Sequence, residues 1–237
     1  MSTERAEIRV SGVAVQIVRK DIKNLHLSVY PPSGRVRIAA PSRTSLAAIR
    51  AFAITRLAWI RRHQRKVIMQ DREPPRELID RESQQIWGER VVLVVIERDH
   101  PPLVELKQRK LILQVRPGTD LLSRTKILES WYRDQLRERA VPSIAKWQRH
   151  LGVEAKGLFI QRMRTKWGSC NPVSRNIRLN TDLAKKPPEC LDYVVLHELS
   201  HLRVRHHNAE FFQLLDHGMP HWREVRATLN LLPLAQW

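Results

Sequence analysis

The stretch VVLHELSHLRVRHHNAEFF, Val194–Phe212, restricts this chain more than any other. Leu191, Val194, Val195 and Leu199 recur at helical spacing and favour a buried helix. On that helix His197 and His201 stand four residues apart, about 400° of turn, so both imidazoles leave one face and can meet one ion. Glu198 lies about 100° further round, beside the pair without being forced into its coordination. A hydrolytic zinc site needs nitrogens at about 2.0–2.1 Å from the metal and a carboxylate able to take a proton from a metal-activated water. The pattern is His-Glu-x-x-His. The competing reading is a helix with two ordinary histidines and a solvated glutamate.

What favours the metal is the supply of further donors. A catalytic zinc takes three protein ligands and keeps a position open, and His206, His207, Glu210, His217 and His221 follow downstream. His207 stands six residues after His201, a spacing known from zinc proteases that place glycine in the intervening turn. Here the turn reads Leu-Arg-Val-Arg-His, without glycine. His207 is therefore the leading third ligand, with His206 and Glu210 as alternatives. If either joined as a fourth ligand, the site would be a closed structural one.

Charge bounds the partners. Of the 237 residues, 42 are Lys or Arg and 24 are Asp or Glu, a formal +18. That excess suits nucleic acid, or else is only a solvated basic surface. Cys170 and Cys190 are the only cysteines, so neither a disulfide framework nor a Cys-x-x-Cys metal site is expected. The opening MSTERAEIRVSG lacks a secretory pattern, and no apolar run reaches membrane-spanning length. A soluble cytoplasmic protein without a membrane partner is the expectation.

Residues 8–40 alternate like a hairpin or meander about a Pro-Pro-Ser-Gly turn. Leu46, Ile49, Phe52, Ala53, Leu57 and Ile60 then mark one amphipathic helix. MQDREPPRELIDRES reads as a linker. RVVLVVIE and KLILQVRP suggest a second hairpin, and VELKQRKLILQV echoes the first meander too faintly to be read as a repeat. A helix over 123–150 should bend or break at Pro142. GLFIQRMRTKWGSC and RNIRLN read as two strands, and helices follow from Pro188 to about Arg203, Ala209 to His217 and Trp222 to Leu231. Strands followed by helices without regular alternation predict an α+β fold. A β-rich region with antiparallel strands and one helix is expected over 1–119, and a helix-dominated region over 120–237.

RMRTKWGSC, NIRLN, LDYVVLHELSHL, HH, FF and MPHWREVRATLN together resemble the YgjP-like metallopeptidases, a bacterial zincin family with SprT-like relatives. The likeness extends back through AWIRRHQRKV and covers nearly the whole chain. It implies a zincin-like fold with the metallopeptidase domain at 120–237. It also implies peptide-bond hydrolysis of a protein or peptide substrate, Zn2+ held by His197, His201 and His207, and Glu198 as catalytic base. Where the family commonly has Asn-His-Ser, this chain has His206-His207-Asn208, leaving open whether Asn208 caps the following helix.

Trp167 and Gly168 mark either a close backbone approach or a core tryptophan with a turn glycine. A strand there could receive an extended peptide. Cys170 and Cys190 read as structural. Tyr193, Arg164, His206, His217 and His221 are all candidate oxyanion donors. Asp192 and Asp216 could orient a ligand imidazole or be plain helix-surface acids. The alternative function is a nucleic-acid-binding protein with a structural or vestigial zinc site, or a protease directed to DNA-bound proteins. No zinc-finger spacing, RNP-like aromatic motif or helix-turn-helix supports it.

Overall fold

The alternating text at the amino terminus forms four strands: β1 Arg5–Val10, β2 Val13–Lys20, β3 His26–Tyr30 and β4 Arg35–Pro41. The structure, a computed structural model, describes residues 5–30, 33–69, 77–163 and 165–231. The sheet order is β1-β2-β4-β3, with antiparallel outer pairs but a parallel central pair, β2 with β4, where a purely antiparallel meander was expected. Val15, Ile17, Val36 and Ile38 point to one face and are buried with Ile49, Ala53 and Ile60. Those three belong to α1 Leu46–Thr55 and α2 Leu57–Met69, two helices where one was expected. The joint is at Arg56, just after the Thr55 hydroxyl donates to the Phe52 carbonyl at 2.9 Å, a local bond that competes with the helical ladder.

The second unit repeats this arrangement. β5 Ser83–Ile86, β6 Glu89–Glu97, β7 Leu103–Lys107 and β8 Lys110–Val115 take the order β5-β6-β8-β7, again with a parallel central pair. Both first hairpins close on two residues at positive φ, Ser11-Gly12 (47° and 83°) and Trp87-Gly88 (52° and 83°). This is the type I′ geometry whose twist suits tight hairpins. The faint sequence echo therefore does correspond to a repeat of topology.

The compact units divide between Glu73 and Pro74, not at 119/120. The reason is a shared core: Leu93, Leu111 and Leu113 of the second sheet are buried with Leu128, Tyr132 and Leu136 of α3 Leu121–Leu151. The Tyr132 hydroxyl also donates to the Gln85 carbonyl at 2.9 Å. The division lies within the linker-like segment, whose residues 70–76 are outside the described ones.

Pro142 does not interrupt α3, which runs unbroken over 31 residues. Buried Leu136, Ala140, Ser143 and Trp147 flank the proline and hold the helix by packing, which outweighs the lost backbone bond.

The expected strand from 157 into 170 is two strands, β9 Gly157–Gln161 and β10 Gly168–Asn171. Both flank β11 Asn176–Asn180, β9 parallel and β10 antiparallel. The intervening loop is held by buried Asn180, whose amide donates to the Met163 and Lys166 carbonyls, each at 2.9 Å. A 3₁₀ turn, Thr181–Lys185, leads to α4 Pro188–Ser200, α5 Ala209–Gly218 and α6 Trp222–Leu231.

α3 and α4 are tied at Asp192, which accepts from the Ser143 hydroxyl at 2.5 Å and from Lys146 at 3.2 Å. Asp192→Ala should cost about 1–3 kcal/mol by leaving the buried Ser143 hydroxyl unpaired. Urea unfolding should show that loss, with metal content unchanged.

Candidate metal centre

α4 is buried nearly all round. Leu191, Tyr193–Leu196 and Leu199 lie in the main core, and Pro188 starts the helix where a missing N–H does no harm. His197 sits in the last turn and His201 immediately caps the end in helical conformation (φ −67°, ψ −15°), so the one-turn relation expected from sequence holds. His207 comes from the segment between α4 and α5. One ring nitrogen from each of His197, His201 and His207 lies within 4.8 Å of the others, a group that could hold a metal ion. His197 and His201 are half-buried and His207 is exposed, so the cluster opens to solvent on the His207 side.

The turn after His201 needs no glycine. No residue from 201 to 208 has a positive φ, and Val204 is buried, with its N–H bonded to the Ser200 carbonyl at 2.9 Å. The Val204 carbonyl lies 3.2 Å from His201 Nδ1. A carbonyl only accepts, so Nδ1 carries the proton and Nε2 presents its lone pair to the cluster. Asn208 does cap α5, its side chain accepting from the Phe211 N–H at 3.0 Å. That cap seats the fully buried Phe211 beneath all three imidazoles, at centroid distances of 5.0, 4.7 and 4.7 Å.

The donors fit a divalent cation. Nε2 of His197 and Nε2 of His207 are 3.1 Å apart, close to the roughly 3.3 Å edge of a tetrahedron with ligands about 2.05 Å from its centre. Burial, then the neighbouring histidines and Arg226, lower the His197 pKa to about 3, and burial also lowers those of His201 and His207. All three are thus neutral near pH 7, the form that binds metal.

Glu198 is only 6 % exposed. Burial raises its pKa to about 7, against the lowering effects of Lys166 and a hydrogen bond from the Cys170 backbone. Gly168 makes room for it, since a Cβ there would stand 2.7 Å from Glu198 Oε1 and 2.8 Å from Val194 Cγ1. For Gly168 the close-approach reading of WGSC is the one realised, between β10 and α4, while Trp167 packs partly buried against the main core. Cys170 is half-buried, its thiol pushed up to about 11 by burial and the Glu198 charge, and a protonated thiol is a poor ligand. Cys190 is buried and both cysteines are free.

The remaining candidates lie outside the triad. His206 and Glu210 are exposed and do not join it, as are His217 and His221. Tyr193 is buried, stacked on Trp222 at 6.1 Å, and Arg164 is outside the described residues. Asp192 serves α3, and Asp216 accepts from Trp222 Nε1 at 2.7 Å and from Arg223, so neither orients a ligand imidazole. Sequence reasoning missed Phe211, Asn180 and Arg226. Arg226 stands one turn after Trp222 on α6, and its charge reaches His197, His207 and Tyr193. The i, i+4 spacing from Trp222 was the available signal.

A family profile described as "YgjP-like, metallopeptidase domain" matches residues 23–231. The chain belongs to this metallopeptidase family. No curated protein matches it significantly. Among solved structures, the zymogen of jannalysin from Methanocaldococcus jannaschii is similar at 22% identity and a TM-score of 0.35, covering 38% of this chain and 92% of that one. The zymogen of abylysin from Pyrococcus abyssi is similar at 17% and 0.37, covering 41% and 99%. Both are zymogens of metallopeptidases. The fold is α+β, as expected. No helix of the described residues is long and apolar enough to cross a membrane.

Two outcomes are expected. Gly168→Ala should displace Glu198 and lower peptidase turnover by about 10- to 100-fold, with metal stoichiometry retained. In metal-free protein Glu198 has a folded pKa above its reference of 4.5, so its penalty is absent below about pH 4.5 and complete above about pH 7. Glu198→Gln should therefore stabilise the metal-free protein more at pH 8 than at pH 4.5, by at most about 3 kcal/mol in urea titrations.

Proposed function

We propose that this metallopeptidase is zinc-dependent, with His197, His201 and His207 as the metal ligands and Glu198 as general base. The observation that carries the reading is a three-imidazole cluster beside a buried carboxylate, with no fourth His, Cys or carboxylate joining it among the described residues. Three neutral nitrogen donors within 4.8 Å of one another, one pair of them at 3.1 Å, suit zinc and leave one position open. When bound, the ion supplies a Lewis acid that polarises the scissile carbonyl and makes water more acidic.

Everything else falls to the protein. Glu198 takes the proton from the attacking water and delivers it to the leaving amine. Its raised pKa keeps proton uptake and release balanced near neutrality, and a cation beside it pulls it toward the ionised form required of a base. The Cys170 N–H holds the carboxylate in place. β10 is an edge strand beside α4, suited to receive an extended polypeptide by strand addition, so the substrate is a protein or peptide. Arg226 adds positive charge beside His207 for an anionic group of the substrate or of the reacting carbonyl.

Glu198→Gln should keep zinc and lose hydrolysis of an unfolded protein by about 10²- to 10⁴-fold. His197→Ala, His201→Ala and His207→Ala should each lose zinc, whereas His206→Ala should keep it. Elemental analysis paired with a cleavage assay reads both. Undiminished hydrolysis by Glu198→Gln refutes the base, and zinc lost in His206→Ala but kept in His207→Ala reassigns the third ligand.

A further inference from the structure

None of the residues of the candidate metal centre lies on the first sheet. α1 and α2 cover only the inner face, through Ile49, Ala53 and Ile60. On the other face the strand registers align Glu7, Gln16, Arg37 and Ser28 in one cross-strand row. Tyr30 pairs with Arg35, and Arg9 lies two residues beyond Glu7. The Arg37 and Arg35 guanidinium carbons lie 4.8 and 5.7 Å from the Tyr30 ring centre, and Arg37 also donates to Gln16 at 3.4 Å. Arg9 and Arg35 are exposed, and Tyr30 and Arg37 are half-buried. Glu7 is the only carboxylate on this face among the described residues. Over residues 5–69 there are 14 Arg and Lys against Glu7 and Asp21, placing +12 of the chain's formal +18 there.

The fold does not demand guanidinium groups over an aromatic ring. The second sheet has the same strand order and pair orientations, yet its outward positions carry Val92, Val94 and Ile112 beside Arg90, Lys107 and Lys110, and its strands hold no tyrosine for such cations to stack on. Clustered guanidinium groups with one opposing carboxylate repel each other until an anion joins them. An aromatic ring beneath guanidinium planes on an open sheet adds a flat stacking surface, which a duplex, with its bases turned inward, does not use.

We infer that this sheet face binds single-stranded nucleic acid, with phosphates on Arg9, Arg35 and Arg37 and an unpaired base stacked at the Tyr30 platform. The inference is independent of the zinc assignment, because binding is read without hydrolysis.

The test is fluorescence anisotropy of the full chain with a labelled oligothymidylate of about 20 nucleotides, titrated with salt. Binding should weaken as salt rises. Arg35→Glu with Arg37→Glu should weaken it by about tenfold or more. Lys107→Glu with Lys110→Glu, a cross-strand pair on the second sheet, should change it by less than about threefold. Arg35→Gln with Arg37→Gln, a milder change for the fold, should give an intermediate loss. Tyr30→Ala should weaken oligothymidylate by about fivefold and leave duplex affinity unchanged. Circular dichroism checks folding, and cleavage of unfolded protein should match wild type in every variant. The inference is overturned if wild type fails to bind, if its affinity ignores salt, or if the folded arginine variants bind like wild type. It is overturned equally if polyglutamate competes as well as oligothymidylate, which would make the face a site for acidic polypeptides.

Discussion

Everything in the second unit is arranged around one constraint: α4 is buried on nearly all sides and still carries an imidazole and a carboxylate. Such groups are costly in a core unless they are paired. Glu198 meets the Cys170 N–H and the Lys166 charge, in space left by Gly168. Ser200 satisfies itself by donating to the Leu196 carbonyl at 2.8 Å. α3, α5, α6, β10 and β11 all pack on this helix, which explains why its neighbours are fixed so firmly from outside. A carboxylate poised near neutrality follows from that enclosure, since an exposed glutamate would be fully ionised.

The third imidazole poses a different problem, because His207 lies outside any helix. Its position comes from a chain of local devices, beginning with buried Val204, which turns the backbone, and continuing through the Asn208 cap to Phe211. A column of parallel rings then stiffens the surroundings: Tyr193 and Phe212 each stack on Trp222 with planes 3° apart, at 6.1 and 5.7 Å. Asp216 holds that indole and ties it to Arg223. Imidazoles held by such packing would lose less freedom on taking up an ion.

This difference sets what was legible in the sequence. The relation of His197, Glu198 and His201 is purely local, so helical periodicity sufficed. His207 was legible by spacing alone, because the turn was sought as glycine while an apolar anchor and negative φ angles achieve it. Asn180 was unreadable for the opposite reason: its amide joins residues some fifteen positions earlier in the chain, and one sequence carries no trace of that. The split of β9 from β10 was lost with it. The boundary expected at 119/120 followed the change from strand to helix periodicity, whereas domains are set by which side chains share a core. Leu111, Leu113 and Leu128 share one.

The two sheets also separate what topology determines from what a surface determines. Turn geometry and the alternation of buried residues recur in both, which suffices to specify strand order and register. Outward residues are left free by that specification, and of the two sheets only the first uses the freedom to set arginines over a strand tyrosine. Net charge alone would attract any polyanion, and beyond about 8 Å it is screened at physiological salt. Recognition therefore depends on the part of the charge that is ordered at short range. Here that part is the pair of guanidinium groups held over Tyr30, because their spacing is set by strand register and survives screening that would erase a diffuse basic surface.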